Sequence, residues 1–319
     1  MTVRVRPSRR AQSGFNLIEL MIALLLGLLV SGAAITVFLS NRQAYAATEG
    51  VGRVQESARM AFELMSRDLR EVGGNPCDVA LPTANVLSTA DAASWSGNWA
   101  QPLIGFGSGG LTGALSGTDA IQVLSAADSL STVSLHVAVP LVSNAFTTTA
   151  SPTVVPGDFA MVCDTQQLAI VKVGVVAGNL VTTLLSENRC NTLGTKPSVC
   201  ALTANYVFQR NAVMAPMTSK QWYVASNNRG GSSLYQRVRR GNSLAVEEVV
   251  DGVTGMALTY LVRTGNAYVE AGSITDWSVV TAVRITLTVT APGTTGTDGA
   301  PLTRNLVHTV NLRNRSLQS

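Results

Sequence analysis

The chain has 319 residues, of which 13% are charged, with 23 Lys and Arg against 19 Asp and Glu. Four arginines among the first ten residues account for the whole excess, because 23 less 4 is 19. The pI near 9.0 therefore gives no reason to expect nucleic acid or an acidic substrate as a partner of the body. A chain of this length can bury one sizeable core or two small ones.

The N-terminal segment joins a basic leader to a long apolar run. Residues 1–13 contain four arginines and no acid, and from Leu20 to Asn41 there is no charged side chain. About 20 apolar residues are enough to cross a bilayer as a helix. Basic flanks stay in the cytoplasm, which predicts that everything after residue 42 lies on the other side of the membrane.

A single carboxylate, that of Glu19, lies at the start of this apolar run. A charged side chain is costly in hydrocarbon, so an acid in such a segment is a functional-site hypothesis and needs a partner. The uncharged run itself offers none. The partner of Glu19 is therefore expected outside this helix.

The leader ending in Gly14, followed by Phe15, Glu19 and the apolar helix, resembles the class III signal of type IV pilins and type II secretion pseudopilins. The resemblance implies that a prepilin peptidase cleaves between Gly14 and Phe15 and methylates the new amino terminus. It also implies that Glu19 pairs with the Phe15 amine of a neighbouring subunit. On this interpretation, residues 1–14 are a cleaved leader peptide.

Two other interpretations of this segment remain open. Ala44-Tyr45-Ala46 supplies the A-x-A pattern of an ordinary secretory signal peptide, although the apolar run exceeds the roughly 7 to 15 residues of that class. A plain membrane anchor explains the length and the orientation, and leaves the Gly-Phe-x-x-x-Glu arrangement as a coincidence.

The helix is predicted to cover residues 15–72, with about 15–41 spanning the membrane and 42–72 amphipathic. In the second part, apolar residues recur at the three- and four-residue spacing of one helical face. The segment Gly73-Gly74-Asn75-Pro76 predicts the end of the helix, because glycine accepts the left-handed cap and proline prevents continuation. The apolar positions are Val54, Ala58, Ala61, Phe62, Met65, Leu69 and Val72.

Residues 73–319 predict a β-rich domain, so the expected fold is α+β and pilin-like. Residues 78–118, rich in Gly, Ser, Ala and Thr, predict irregular loops with short strands. The clearest strand signal is the strict apolar and polar alternation over residues 283–289. Strands are predicted at 121–124, 133–139, 159–163, 168–175, 181–185, 221–225, 234–238, 245–250, 256–262, 279–289 and 306–312.

The second half of the chain resembles the C-terminal pattern of PilW-type minor pilins. The resemblance implies a structural subunit that joins a priming or tip complex for type IV pilus assembly, twitching motility and adhesion. J-type pseudopilins of type II secretion share the architecture and remain the alternative. The residues that carry this resemblance are 233–237, 247–253, 256–260, Trp277 and 283–287, together with Asp68-Leu69-Arg70, Cys77 and Gly157-Asp158.

The same resemblance implies the partners and the location. The partners would be other minor pilins, the major pilin and the prepilin peptidase, with a pilus-tip adhesin as a further candidate and no nucleic acid. Before assembly, the protein would cross the inner membrane once, with a cytoplasmic N-terminus and a periplasmic body. After assembly it would be part of the pilus at the cell surface.

The four cysteines, Cys77, Cys163, Cys190 and Cys200, can pair in three ways. A Cys190–Cys200 pair closes a short loop and is favoured, which leaves Cys77 with Cys163, and the other pairings stay open. There is no Cys-x-x-Cys spacing and no histidine nearby, so structural disulfides are expected and a metal is not.

Other motifs predict neither an enzyme nor a cofactor. Residues 105–110 match G-x-G-x-x-G as a string, but no suitable strand precedes them and no helix start follows, so a flexible loop is predicted. His136 and His308 lie in separate strand patterns without a nucleophile or ligand set, and are expected to be packed or at the surface. An exported periplasmic enzyme or binding protein is the remaining, weaker alternative.

Two further features have structural interpretations. Arg237, Arg239 and Arg240 form the densest basic cluster of the body, and a solvated strand face is expected there. Asp298-Gly299 is a turn signal with too few oxygen ligands nearby to predict calcium.

Overall fold

The computed structural model describes residues 16–139, 143–195, 198–200, 206–295 and 300–316. One long helix, α1 (Leu17–Glu71), is followed by a β-rich domain, which confirms the predicted α+β class. The cleavage pair Gly14 and Phe15 and the turn signal at Asp298-Gly299 lie outside the described residues.

The end of α1 has the predicted chemistry. Gly73 adopts a φ of +69°, in the left-handed region that glycine occupies without steric cost. Its N–H donates to the carbonyl of Leu124 at 2.9 Å, which ties the end of the helix to a strand. The helix therefore stops where the β domain begins.

Two short α-helices, two 3-10 helices and sixteen strands follow in the described residues. The α-helices are α2 (Thr89–Ala93) and α3 (Arg313–Ser316), and the 3-10 helices are Ala271–Ser273 and Trp277–Val279. The strands are β1 (Thr83–Asn85), β2 (Leu103–Phe106), β3 (Ala120–Ala126), β4 (Ser131–Val139), β5 (Ser143–Thr148), β6 (Phe159–Cys163), β7 (Leu168–Lys172), β8 (Val175–Ala177), β9 (Leu180–Leu184), β10 (Ala212–Ser226), β11 (Ser232–Arg240), β12 (Ser243–Asp251), β13 (Val253–Val262), β14 (Tyr268–Glu270), β15 (Val280–Thr295) and β16 (Pro301–Asn311).

Strand β10 is the centre of the larger sheet. Its first residues pair with β4 and β6, and its later residues pair with β3 and β11. One arm of the sheet continues through β4, β5, β9 and β8, and another continues from β11 to β12. Because β10 is 15 residues long, it can serve both arms. We call β4, β5, β9 and β8 the outer lobe.

The smaller sheet is antiparallel and has the order β14-β13-β15-β16. In β15, Val283, Ile285 and Leu287 are fully buried, which confirms the alternation seen in the sequence. Their partners in β13 and β16 complete a face that α1 covers.

The core is divided into clusters. The largest contains the apolar stripe of α1, the inward-facing side chains of β13 and β15, and Trp222 of β10. A second cluster lies beneath the outer lobe and includes Phe146, Val181 and Phe208. Within the described residues, that second cluster contains no residue of α1. The helix and the outer lobe are thus held through different cores.

Three expectations about strands were wrong. Residues 168–175 are not one strand: β7 ends at Lys172, and the chain turns at Gly174 so that β8 pairs with β9. Part of the predicted 105–110 loop is strand, because Gly105 and Phe106 belong to β2. A Cβ on Gly105 would overlap the Tyr260 side chain, so glycine allows β2 to lie close to that residue. Strand β5 was not predicted, since its inward side chains include the polar Asn144.

Candidate functional site

The first half of α1 exposes an apolar surface on every side. Within the described chain, this is the helix long and apolar enough to cross a membrane, and none of its most apolar window is buried. The large apolar side chains from Leu17 to Leu39 are between 51% and 76% exposed. Apolar surface on this scale requires lipid or other helices to cover it. We call Leu17–Leu39 the bare half of α1.

Glu19 lies in the first turn of the bare half and is exposed. Its backbone N–H donates to the carbonyl of Asn16 at 3.0 Å. Among the described residues, its carboxylate has no hydrogen bond or ion pair. A helix N-terminus favours a negative charge, but in hydrocarbon that carboxylate still needs a cation.

Two glycines of the bare half pack against nothing among the described residues. A Cβ placed on Gly27 or Gly32 would meet nothing within 4 Å. Glycine in a helix interior costs about 1 kcal/mol relative to alanine, and nothing in the described structure offsets that cost. Small residues allow neighbouring helices in a membrane to approach closely.

The second half of α1 is docked on the sheets by one apolar stripe. The predicted face is confirmed: Val54, Ala58, Ala61, Met65, Leu69 and Val72 are buried, and Phe62 is partly buried. The Phe62 ring lies 5.3 Å from the His308 ring, between the centroids. We call residues 54–72 the docked half of α1.

Asp68 lies in the same stripe as a buried carboxylate, 5% exposed. Its Oδ1 accepts a hydrogen bond from Nζ of Lys220 at 2.6 Å, and its Oδ2 accepts from Nε1 of Trp222 at 2.9 Å. Nε2 of Gln236 donates to the same Oδ2 at 3.0 Å. These directional bonds fix both the rotation of α1 and its position along β10 and β11.

The last turn of α1 is closed by the C-terminal residues. Nδ2 of Asn314 donates to the carbonyls of Glu71 and Val72, at 3.3 and 3.2 Å. The guanidinium of Arg315 is buried and donates to the Trp277 carbonyl, and burial lowers its pKa to about 10. Carbonyls at a helix end have no intrahelical partner, so the bonds from Asn314, together with the one from the Gly74 N–H to the Glu71 carbonyl at 2.8 Å, stabilise the end of the helix.

Both disulfides have the favoured connectivity. Cys77 is bonded to Cys163, which ties the segment after α1 to β6. Cys190 is bonded to Cys200 and closes the short loop beside the outer lobe. The domain that follows α1 is thus cross-linked at both places.

His136 is packed in the core of the outer lobe rather than at a reactive site. Its Nε2 lies 3.1 Å from Oδ1 of Asn144, and its Nδ1 accepts from the N–H of Phe208 at 2.9 Å. The neutral ring fits this arrangement, with the proton on Nε2. Burial lowers the pKa of His136 below its usual value of 6.5.

The basic cluster is largely used inside the chain. Arg237 donates to Oε1 of Gln221 at 2.9 Å and lies over the Tyr223 ring. Arg239 donates to the Gly157 carbonyl at 3.0 Å.

Among the described residues, no group of three His, Cys, Asp or Glu side chains is arranged to hold a metal ion.

Sequence reasoning missed the partners of Asp68, although Asp68 itself was noted. An acid three residues from Met65 and four from Val72, inside an apolar stripe, was the available signal. Lys220, Gln236 and Asn314 carry no such signal in the sequence. Their roles follow from the strand register and the chain path.

Two family models match the chain. The model described as Type IV Pilus-assembly protein W matches residues 221–314, from β10 to α3. The model described as Prokaryotic N-terminal methylation motif matches residues 9–35, which include Gly14, Phe15 and Glu19. We found no match among the curated proteins or among the solved structures.

The two matched segments are connected through α1. The C-terminal match contains Trp222 and Gln236, which bind Asp68, and Asn314, which caps α1. The N-terminal match contains the start of the bare half. One helix therefore connects the methylation motif to the matched β region.

Proposed function

We propose, from the premise that this chain is a type IV pilus minor pilin of the PilW type, that it enters the filament through the bare half of α1. It joins a priming or tip complex with other minor pilins and supports assembly, twitching motility and adhesion. Its further partners are the major pilin, the prepilin peptidase and a pilus-tip adhesin. It is a structural subunit and needs no cofactor.

The unpaired carboxylate of Glu19 carries the proposal. It lies on an exposed apolar helix that the rest of the described chain does not cover. No described residue of the chain supplies a cation to it, and we propose that the amino terminus of a neighbouring subunit does. Pairing removes both charges from the apolar interior at once.

Maturation precedes assembly in this proposal. The peptidase cleaves between Gly14 and Phe15, and Phe15 becomes the methylated amino terminus. Before that step the basic leader holds the N-terminus in the cytoplasm, so that the β domain lies in the periplasm and α1 in the inner membrane. Gly27 and Gly32 then allow close contact with neighbouring helices.

The test is incorporation of the Glu19→Ala variant into pili sheared from the native host. We expect membrane insertion to be kept and the amount in sheared pili to fall at least about tenfold, which corresponds to about 1.4 kcal/mol. Glu49→Ala is the matched control, because Glu49 is an exposed acid of α1 whose ion pair is the helical one to Arg53, at 2.7 Å.

The mass of the mature protein supplies the second readout. A chain that starts at N-methyl-Phe15, and a Gly14→Ala variant that keeps the leader, would support the maturation step. Wild-type abundance of Glu19→Ala in sheared pili would refute the pairing. A mature chain that starts after Ala46 would refute pilin-type maturation altogether.

A further inference from the structure

The outer lobe has an exposed sheet face without a charged side chain. The four strands pair in register, so that Val137, Ala145, Thr182 and Val175 form one row across the sheet. We call this surface the neutral face. Its members are Leu135, Val137 and Val139 of β4, Ser143, Ala145 and Thr147 of β5, Leu180, Thr182 and Leu184 of β9, and Val175 and Ala177 of β8.

The neutral face is unusual for a sheet surface that meets solvent. Eight of its eleven side chains are aliphatic, and Leu135, Val175 and Val137 are 54%, 48% and 46% exposed. An antiparallel sheet that covers a core on one side normally presents polar residues on the other. Here the inward side already covers the core, with Phe146 and Val181 fully buried.

Another sheet of the same chain shows the ordinary pattern. The outward side of β15 and β16 carries paired hydroxyl and amide side chains, including Thr290 with Thr303 and Thr288 with Asn305, both at 2.9 Å. Arg284 also lies on that side, over the Tyr268 ring. The outward side of β15 and β16 is therefore more polar than the neutral face.

The absence of charge limits the chemistry of a partner. A charged group brought against this face would lose hydration and find no counter-charge on any of the eleven side chains. Phosphate groups, acidic polysaccharides and anionic lipid headgroups are poor partners for the same reason. The complementary surface is an uncharged, largely aliphatic protein surface.

The neutral face is too small to hold a freely diffusing protein partner by itself. Strands lie about 4.8 Å apart and residues of one face about 6.8 Å apart along a strand, so the grid covers on the order of 400 Å². A stable complex of free proteins needs about 800 Å² from each partner. A contact of this size is sufficient when another link already holds the partner at millimolar effective concentration.

Subunits of one filament are linked in this way through their α1 helices. Subunits that lie parallel in a filament contact each other through two different patches. The patch of the neighbour that contacts the neutral face is therefore not another neutral face. We infer that the neutral face docks an uncharged surface on the β domain of another minor pilin in the same complex. This inference rests on the proposed function. It adds a contact between β domains to the contact that the bare half of α1 makes between helices.

Site-specific photo-crosslinking in the full chain tests the contact. A photoreactive residue replaces Val137 in the native host, and the matched control replaces Val307, a 60% exposed valine on the polar side of β16. We expect an adduct with another minor pilin, identified by mass spectrometry, from position 137 and not from position 307. An adduct with a second copy of this chain or with a non-pilin protein, or no adduct, overturns the inference.

A charge placed in the face gives an independent readout. Val137→Lys should reduce the other minor pilins recovered with this chain from solubilised membranes at least about tenfold, while Val307→Lys should leave their recovery unchanged. Equal recovery with both variants contradicts the inference. If Val137→Lys does not accumulate, the crosslink at position 137 in the otherwise unaltered chain decides.

The two proposals fail in different ways. If the proposed function is wrong, the protein lacks N-methyl-Phe15 or is absent from sheared pili. If only the neutral-face contact is wrong, the processed protein is present in pili and position 137 gives no adduct with a minor pilin.

Discussion

The bare half of α1 and the buried apolar stripe of its docked half each contain one acid, and within the described residues only the acid of the stripe has partners. Asp68 of the docked half is buried and accepts three hydrogen bonds from β10 and β11. Glu19 of the bare half is exposed and, among the described residues, its carboxylate has no partner. Similar local patterns thus have different outcomes because the β domain reaches only one end of the helix.

The two halves also differ in what covers their apolar side chains. Apolar side chains of the docked half are covered by the two sheets, and those of the bare half are covered by nothing in the described chain. A polar group buried without its partners costs free energy, so each acid must be neutralised or hydrogen-bonded somewhere. For Asp68 that happens within the fold, and for Glu19 the proposed pairing with a neighbouring subunit would supply the partner.

Removing the carboxylate of Asp68 should have the largest effect on the docked half. Asp68→Ala leaves Lys220, Trp222 and Gln236 without their acceptor, and we expect the free energy of unfolding to fall by about 3–5 kcal/mol. Chemical denaturation of the full chain in detergent, followed by tryptophan fluorescence, measures this loss. Glu49→Ala is the control and should change stability by less than about 0.5 kcal/mol. Similar values for both variants would mean that Asp68 does not hold the helix.

Truncating apolar side chains compares the two halves directly. Met65→Ala opens a cavity in the main core, so we expect a loss of about 2–5 kcal/mol. Leu24→Ala removes a side chain that is 59% exposed and should leave the unfolding of the β domain unchanged. A stability loss in Leu24→Ala as large as in Met65→Ala would show that the bare half packs on its own domain.

Acidification should weaken the outer lobe through His136, with a smaller effect. The unfolded chain takes up a proton near pH 6.5, whereas the buried ring resists it because its folded-state pKa is lower. Stability is therefore complete above about pH 6.5 and falls as the pH drops toward the folded pKa, by at most about 1.4 kcal/mol per pH unit. The pH dependence is measured by thermal unfolding of wild type and His136→Gln between about pH 5 and about pH 7.5, on both sides of the ordinary histidine pKa of about 6.5. Parallel pH profiles would exclude His136 as the cause.

The sequence predicted the parts of the fold that depend on local periodicity. The apolar stripe of the docked half and strand β6 at Phe159–Cys163 were predicted correctly, because burial follows one helical face in the first and a short apolar run in the second. The disulfide connectivity followed the favoured short loop of Cys190 and Cys200.

The rest depended on contacts between distant residues. Asp68 and its partner Gln236 are 168 positions apart, so no local pattern connects them. Strand β5 was missed because Asn144 faces inward, where it binds His136 and the Asn191 carbonyl. The break at Gly174 was missed because the side chain that crowds this position, Leu184 at 3.0 Å from where a Cβ would lie, belongs to another strand.

The cap that Asn314 places on α1 sets an order on synthesis. The Glu71 carbonyl already accepts from the nearby Gly74 N–H at 2.8 Å, but Asn314 is separated from Val72 by 242 positions, so the Val72 carbonyl lacks this cap until residue 314 has been made. Within the described residues, the bare half is covered by no later part of the chain. The exposed apolar segment is therefore synthesised long before the residue that caps the helix, and a chain that stops before Asn314 has α1 without this cap.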